Sequence, residues 1–226
     1  RSQAVKLLLD QGADIKVKDK LEQTVLHLCA MKNNQSMAKV LLQRGSGLNS
    51  QDRLKRTPLL LAIIYRNQEI AKFFLHEGAD VTIKDRLGTT PLHQAVAERM
   101  TEITKLIVSR NSINVNTKEK IVGRTPLHVA CAKNYHRLTS ILLDHGADVN
   151  LTTSFRKSPL HLTVLNGDTD MVPTLLSHTR NINMLSLGNK TALHNAVEGG
   201  HYNIANLLIQ ADAKVNSHDL QGLTPL

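Results

Sequence analysis

The chain has 226 residues, with 28 Lys plus Arg against 19 Asp plus Glu, a formal net charge of +9, and two cysteines. Apolar residues, at 41%, suffice for a core and exclude disorder as the main description, while two cysteines cannot staple a disulfide scaffold of this length. No apolar run approaches the ~20 residues that span a bilayer, and the opening Arg1-Ser2-Gln3-Ala4-Val5-Lys6 lacks the apolar segment of a signal peptide.

From the N-terminus onward the predicted elements recur. Residues 1–23 close a unit whose end, Leu8 to Ile15, follows the pattern Leu-Leu-x-x-Gly-Ala-Asp-Val-Asn. At Thr24 a second string begins, Thr-Pro-Leu-His or a close variant. It returns at Thr57, Thr90, Thr125, Ser158, Thr191 and Thr224, at spacings of 33, 33, 35, 33, 33 and 33 residues. The first string lies between these copies at Leu41–Asn49, Phe74–Thr82, Leu142–Asn150 and Leu208–Asn216, with blurred versions near Ile107 and Leu175. Two motifs in phase along a whole chain define a structural repeat.

Each string predicts local structure. The Thr or Ser hydroxyl caps the free amides of a helix that Pro enters at its first position. Leu26, Leu59, Leu92, Leu127, Leu160 and Leu193 then enter a core, and small residues such as Ala62, Ala95, Ala130-Cys131 and Ala196 permit close packing. A second helix carries paired apolar residues, as in Val40-Leu41-Leu42 and Ile141-Leu142-Leu143, and ends at Gly12, Gly45, Gly78 or Gly146 in a left-handed stop. Each unit leaves an apolar face open, so only stacking completes the core.

Two places depart from the pattern. Between Thr90 and Thr125 there are two insertions, one around residues 109–116 and one within 117–124, which lengthen a finger and single out Lys118, Lys120 and Arg124 as specificity candidates. Pro173 falls inside an expected second helix, where proline costs up to about 3 kcal/mol, so residues 171–183 should be held less firmly than 138–150.

These residues resemble the ankyrin repeat family along essentially the whole chain. The resemblance implies an all-α solenoid of helix-turn-helix units with β-turn or hairpin fingers. It also implies one domain over residues 1–226: a half repeat (1–23), six full repeats (24–223) and the start of another (224–226). With no polar cap at either end, the sequence reads as an excerpt of a longer array. His27, His93, His128, His161 and His194 share one motif column, and in related repeats this histidine orders the turn through backbone hydrogen bonds. The copies fall in different repeats and Leu60 replaces one, so a shared metal site is not expected. Cys29 and Cys131 read as buried free thiols in a reducing compartment, the cytoplasm or the nucleus. Asn116, Asn150 and Asn216 stand where related repeats can be hydroxylated. No phosphate loop, nucleophile elbow or zinc-protease motif is present, so neither an enzyme nor a cofactor is expected.

The resemblance implies binding through fingertips and the inner face of each first helix. The finger segments 14–23, 47–56, 80–89, 114–124, 148–157, 181–190 and 214–223 hold fifteen basic and nine acidic residues, which is six of the nine net charges. Three residues before each motif Thr or Ser stand Leu21, Leu54, Leu87, Val122 and Phe155, followed by Gly188 and Gln221. Flanked by Arg53, Arg56, Arg86 and Arg124, five such tips would make an apolar ridge with basic margins, suited to an acidic, partly apolar protein segment. Alternatively, neighbouring tips bury one another. Met31, Ile64 and Tyr65 on the inner face are anchor candidates, unless they pack against adjoining fingers. Lys6, Lys39, Lys72 and Lys105 form a solvated stripe on the second helices. Competing functions are nucleic-acid binding by the basic fingers, opposed by the near absence of stacking aromatics, and a regulatory region of a larger enzyme or channel. Membrane insertion is not expected, and the oligomeric state stays open.

Overall fold

The structure is a computed structural model and describes residues 7, 8, 10–110 and 113–226. Leu9 of the first string, Lys6 of the lysine stripe and part of the insertion at 109–116 lie outside the described residues. Each repeat opens on a Thr or Ser in extended conformation, with ψ between 163° and 169°, after which the chain turns helical. In the first unit the helices are α1 (Val25–Met31), α2 (Gln35–Gln43), α3 (Pro58–Ile64), α4 (Gln68–His76), α5 (Pro91–Ala97) and α6 (Thr101–Val108). In the second they are α7 (Pro126–Ala132), α8 (His136–Asp144), α9 (Pro159–Leu165), α10 (Val172–Leu176), α11 (Ala192–Glu198) and α12 (Tyr202–Gln210). No strand occurs among the described residues, so the fingers are turns.

Helices of five to nine residues are too short to persist alone, and packing must hold them. The chain forms two compact units, residues 1–114 and 115–226. Within the first, α1 packs on α3 and α3 on α5, while α2 packs on α4 and α4 on α6. Within the second, α7 packs on α9, α9 on α11 and α10 on α12. Leu26, Leu59, Ile63, Ile70, Phe74 and Leu92 are fully buried in the first unit, and Leu127, Leu142, Val164, Leu175 and Leu208 in the second. Each such side chain contributes about 1.5–3 kcal/mol by leaving water.

The expected cost of Pro173 is corrected by the structure. Its ring would clash with the carbonyl of residue 169 if the helix began where its neighbours begin. Instead α10 starts at Val172, so Pro173 lies in the first turn, where its missing N–H is not needed. Residues 169–171 form a turn, and the Asp168 carboxylate accepts the Met171 amide at 3.2 Å. What is lost is helix length: five residues, against nine in α8.

Candidate protein-interaction surface

One side chain closes each finger. In the second, Asp52 Oδ1 accepts the amides of Leu54 (2.9 Å) and Arg56 (2.8 Å), and its own amide donates to the Arg56 carbonyl (3.0 Å). Oδ2 takes the Arg56 guanidinium through Nε (2.9 Å) and Nη2 (2.7 Å). Burial alone would raise the Asp52 pKa, but the Arg56 guanidinium and the two amides outweigh it and hold the carboxyl below the usual range. Asp19, Asp85 and Asp219 close their fingers through the same pair of amide contacts. The finger with the insertion replaces Asp by Glu119. Its backbone pair spans one residue more, Glu119 amide to Arg124 carbonyl at 3.0 Å. The longer side chain then reaches the amides of Ile121 (2.7 Å), Val122 (2.9 Å) and Arg124 (3.2 Å). One added methylene matches one added residue.

Neighbouring fingers meet at their tips through single backbone hydrogen bonds. In the first unit the Arg53 amide donates to the Leu21 carbonyl (2.9 Å) and the Arg86 amide to Leu54 (3.0 Å). In the second, the Ser154 amide donates to Val122 (2.7 Å) and Leu187 to Phe155 (2.9 Å). These bonds fix the backbones while the side chains turn outward: Leu21, Leu54, Leu87 and Phe155 stay 53, 45, 51 and 51% exposed. Val122 is half-buried. Arg53, Arg86 and Arg124 are exposed, but Arg56 is half-buried and committed to Asp52. Arg56 therefore departs from the expected free basic margin, because a carboxylate four residues before it captures the guanidinium. On the inner face Tyr65 is exposed, whereas Met31 and Ile64 are half-buried. Leu165, at the inner-face position of α9, is also exposed, as is Ile121 in the lengthened finger, which the sequence reasoning did not single out. Ile121 was discoverable from the insertion itself. Of the lysine stripe, Lys72 pairs with Glu69 and Lys105 with Glu102.

The motif histidines act as struts. Nδ1 of His27, His128, His161 and His194 accepts the backbone amide of the capping Thr or Ser at 3.1–3.3 Å. The proton therefore sits on Nε2, which donates to the carbonyl of Arg56, Lys157, Lys190 or Leu223, the last residue of the finger that leads into the next repeat, at 3.0–3.3 Å. Burial lowers the pKa of His27, His128 and His161 against the opposing pull of those carbonyls, and takes His128 to about 4. These three imidazoles are neutral near pH 7. Burial likewise pushes Cys29 up to about 11 and Cys131 to about 12, leaving both as inert thiols. Among the described residues no group of three His, Cys, Asp or Glu could hold a metal ion.

An open cavity of about 420 Å³ lies between the first three fingers, with Lys18, Arg53, Lys55 and Arg86 on its lining beside Glu22 and Asp52. These cations come from three fingers, so their convergence is invisible in linear spacing.

Extended hydroxyl caps, paired short helices and fingers closed by one side chain, most often a carboxylate, at a period near 33 residues define an ankyrin-repeat protein. The family model described as Ankyrin repeats (3 copies) matches residues 1–85, 83–153 and 149–219, and the chain belongs to that family. Ankyrin repeats are generally protein-interaction modules. Among solved structures, the chain is similar to the ankyrin repeat domain of Bcl-3, described as a unique member of the IkappaB protein family. The identity is 26% and the TM-score 0.79, over 90% of this chain and 92% of that one. No curated protein matches the chain in sequence. No helix among the described residues is long and apolar enough to cross a membrane.

Proposed function

We propose that this chain is a non-catalytic interaction module that takes an acidic, partly apolar protein segment along its fingertips and the exposed ends of its inner helices. The observation that carries this reading is the outward exposure of Leu21, Leu54 and Leu87 beside the basic residues Arg53 and Arg86. Tyr65 supplies an aromatic anchor on the inner face of the same unit, with Met31 and Ile64 as half-buried neighbours. Val122, Arg124 and Phe155 offer a second such stretch in the other unit. Apolar side chains that water touches at fixed spacing, edged by one sign of charge, favour a complementary chain. The resemblance to an IkappaB-family ankyrin domain supports a protein partner, and the inert buried thiols suit the cytoplasm or the nucleus. Three exposed rings, Tyr65 in one unit and Phe155 and Tyr202 in the other, supply no run of stacking platforms for a nucleic acid.

The test is affinity capture with the full chain as bait, comparing wild type with L54D/L87D and with R53E/R86E, and leaving Arg56 intact. Proteins captured by the wild type should be lost from L54D/L87D and weakened by added salt. Identical capture by all three baits removes the fingertips from the binding mechanism.

A further inference from the structure

We propose that the cavity between the first three fingers receives a phosphorylated side chain of the bound segment, with Leu54 and Leu87 seating apolar residues to either side. The proposal deepens the interaction reading above and rests on it. The first observation is the state of the cations. On the cavity wall, Arg53, Lys55 and Arg86 have no ion-pair partner among the described residues, and Lys18 Nζ reaches only the Gln51 carbonyl, at 3.3 Å. Asp52 is neutralised by Arg56, which leaves Glu22 as the one carboxylate on the lining without a cation. Four cations against one such carboxylate share a single concavity.

The second observation is how firmly these cations are placed. The amides of Arg53 and Arg86 are bonded to the preceding finger, and Lys55 sits at φ +61° inside the loop that Asp52 closes. The charges therefore converge because the fingers are pinned, not because the side chains attract one another. A focused positive field of this kind selects an anion. A carboxylate brings one negative charge, whereas a phosphoserine brings about −1.5 to −2 and three acceptor oxygens. The guanidinium fork engages such oxygens in pairs, which two free arginines can do from neighbouring fingers. Packed helices lie about 8–10 Å apart, and a polyproline II segment, with three residues per turn, advances about 3.1 Å per residue. Apolar side chains three positions apart on such a segment share one face about 9 Å apart and thus meet Leu54 and Leu87, with the phosphorylated residue at one of the two positions between them.

Three fluorescent peptide pools test this on the full chain, each degenerate except for two leucines three positions apart and a phosphoserine, serine or glutamate at one of the two positions between them. The phosphoserine pool is expected to bind roughly tenfold tighter than the serine pool, with glutamate between them. R53Q/R86Q, shown to be folded by far-UV circular dichroism, should abolish that preference. K18Q/K55Q, which changes a different pair of fingers, should reduce it. L54D/L87D should weaken all three pools. Equal binding of the phosphoserine and serine pools, a preference that survives R53Q/R86Q, or no binding of any pool overturns the proposal. So does tighter binding of vesicles containing phosphatidylinositol phosphates than of the phosphoserine pool. Equal binding that still falls in L54D/L87D removes the phosphate site and leaves the fingertip surface standing, whereas indifference to both variants removes both.

Discussion

Acid should loosen this protein through its buried histidines, and His128 shows by how much. Its ring is fully buried; Nδ1 accepts the Thr125 amide at 3.2 Å, and Nε2 donates to the Lys157 carbonyl at 3.2 Å. A second proton would have to sit on Nδ1, facing that amide, within reach of the positive charges of Lys118 and Arg124. The folded pKa is about 4 against an ordinary 6.5. Above 6.5 both folded and unfolded chains are neutral at this residue, and its strut contributes fully. As pH falls from 6.5 towards 4, only the unfolded chain takes up the proton, and stability is lost at ~1.4 kcal/mol per pH unit. The full loss is about 3 kcal/mol, and about 2 kcal/mol of it has occurred by about pH 5. Leu60, which fills the same column in another repeat and is buried, provides the comparison residue. H128L should be less stable than wild type near pH 7, and the gap should shrink by about 2 kcal/mol near pH 5. Urea unfolding followed by far-UV circular dichroism reads this directly, since the chain has no Trp. A gap of the same size at both pH values, or an ordinary pKa for His128 in an NMR titration, refutes the reasoning.

Three further outcomes follow from single structural details. Glu119→Asp shortens the side chain that spans the lengthened finger and should cost about 1–3 kcal/mol in urea unfolding through unsatisfied amides, although the charge is kept; no change would show that the extra methylene is incidental. Arg66 sits at φ +57° in a turn where Gly167 and Gly200 occupy the matching positions, so Arg66→Gly should stabilise by about 0.5–1 kcal/mol in the same assay; destabilisation would contradict it. With α10 reduced to five residues, amides of 171–183 should exchange faster than those of 138–150 in hydrogen-exchange mass spectrometry, and equal protection would show that the shortened helix is as firmly held as α8.

The repeat was legible because its motif residues do their work locally. A Thr three residues before a His caps a helix whatever the partner surface is, so the string survives in phase and announces the fold. The strut from His Nε2 ends 29 residues later in the chain, and that fixed reach is one physical reason why the period holds so near 33. What the sequence left open were directions. An apolar fingertip can bury itself or face water, and the single backbone bond between tips, which leaves the side chains free, decided for water. Arg56 and Arg53 look alike in a charge count, and only the nearness of Asp52 separates a brace from a margin. Pro173 was misjudged because the helix start was assumed to keep its register, whereas the chain gave up a turn to keep proline harmless. The cavity cations gather from three fingers, and no window along the sequence contains them.

Leu60 carries a consequence for how the first unit comes apart. In a stacked array stability is a sum of repeat energies and nearest-neighbour couplings, and each histidine strut is a polar part of one coupling. Where Leu60 stands, no imidazole braces the seam between the repeats that open at Thr57 and Thr90, and the Arg110 guanidinium, donating to the Leu75 and Ala79 carbonyls, is its polar tie instead. That tie lies at the second helices, so the finger end of this seam lacks the strut that His27 gives at the Arg56 carbonyl, at the fingers where Leu54 and Leu87 wait for a partner. A ligand that clasps both tips would restore, from outside, the coupling that the missing histidine does not supply.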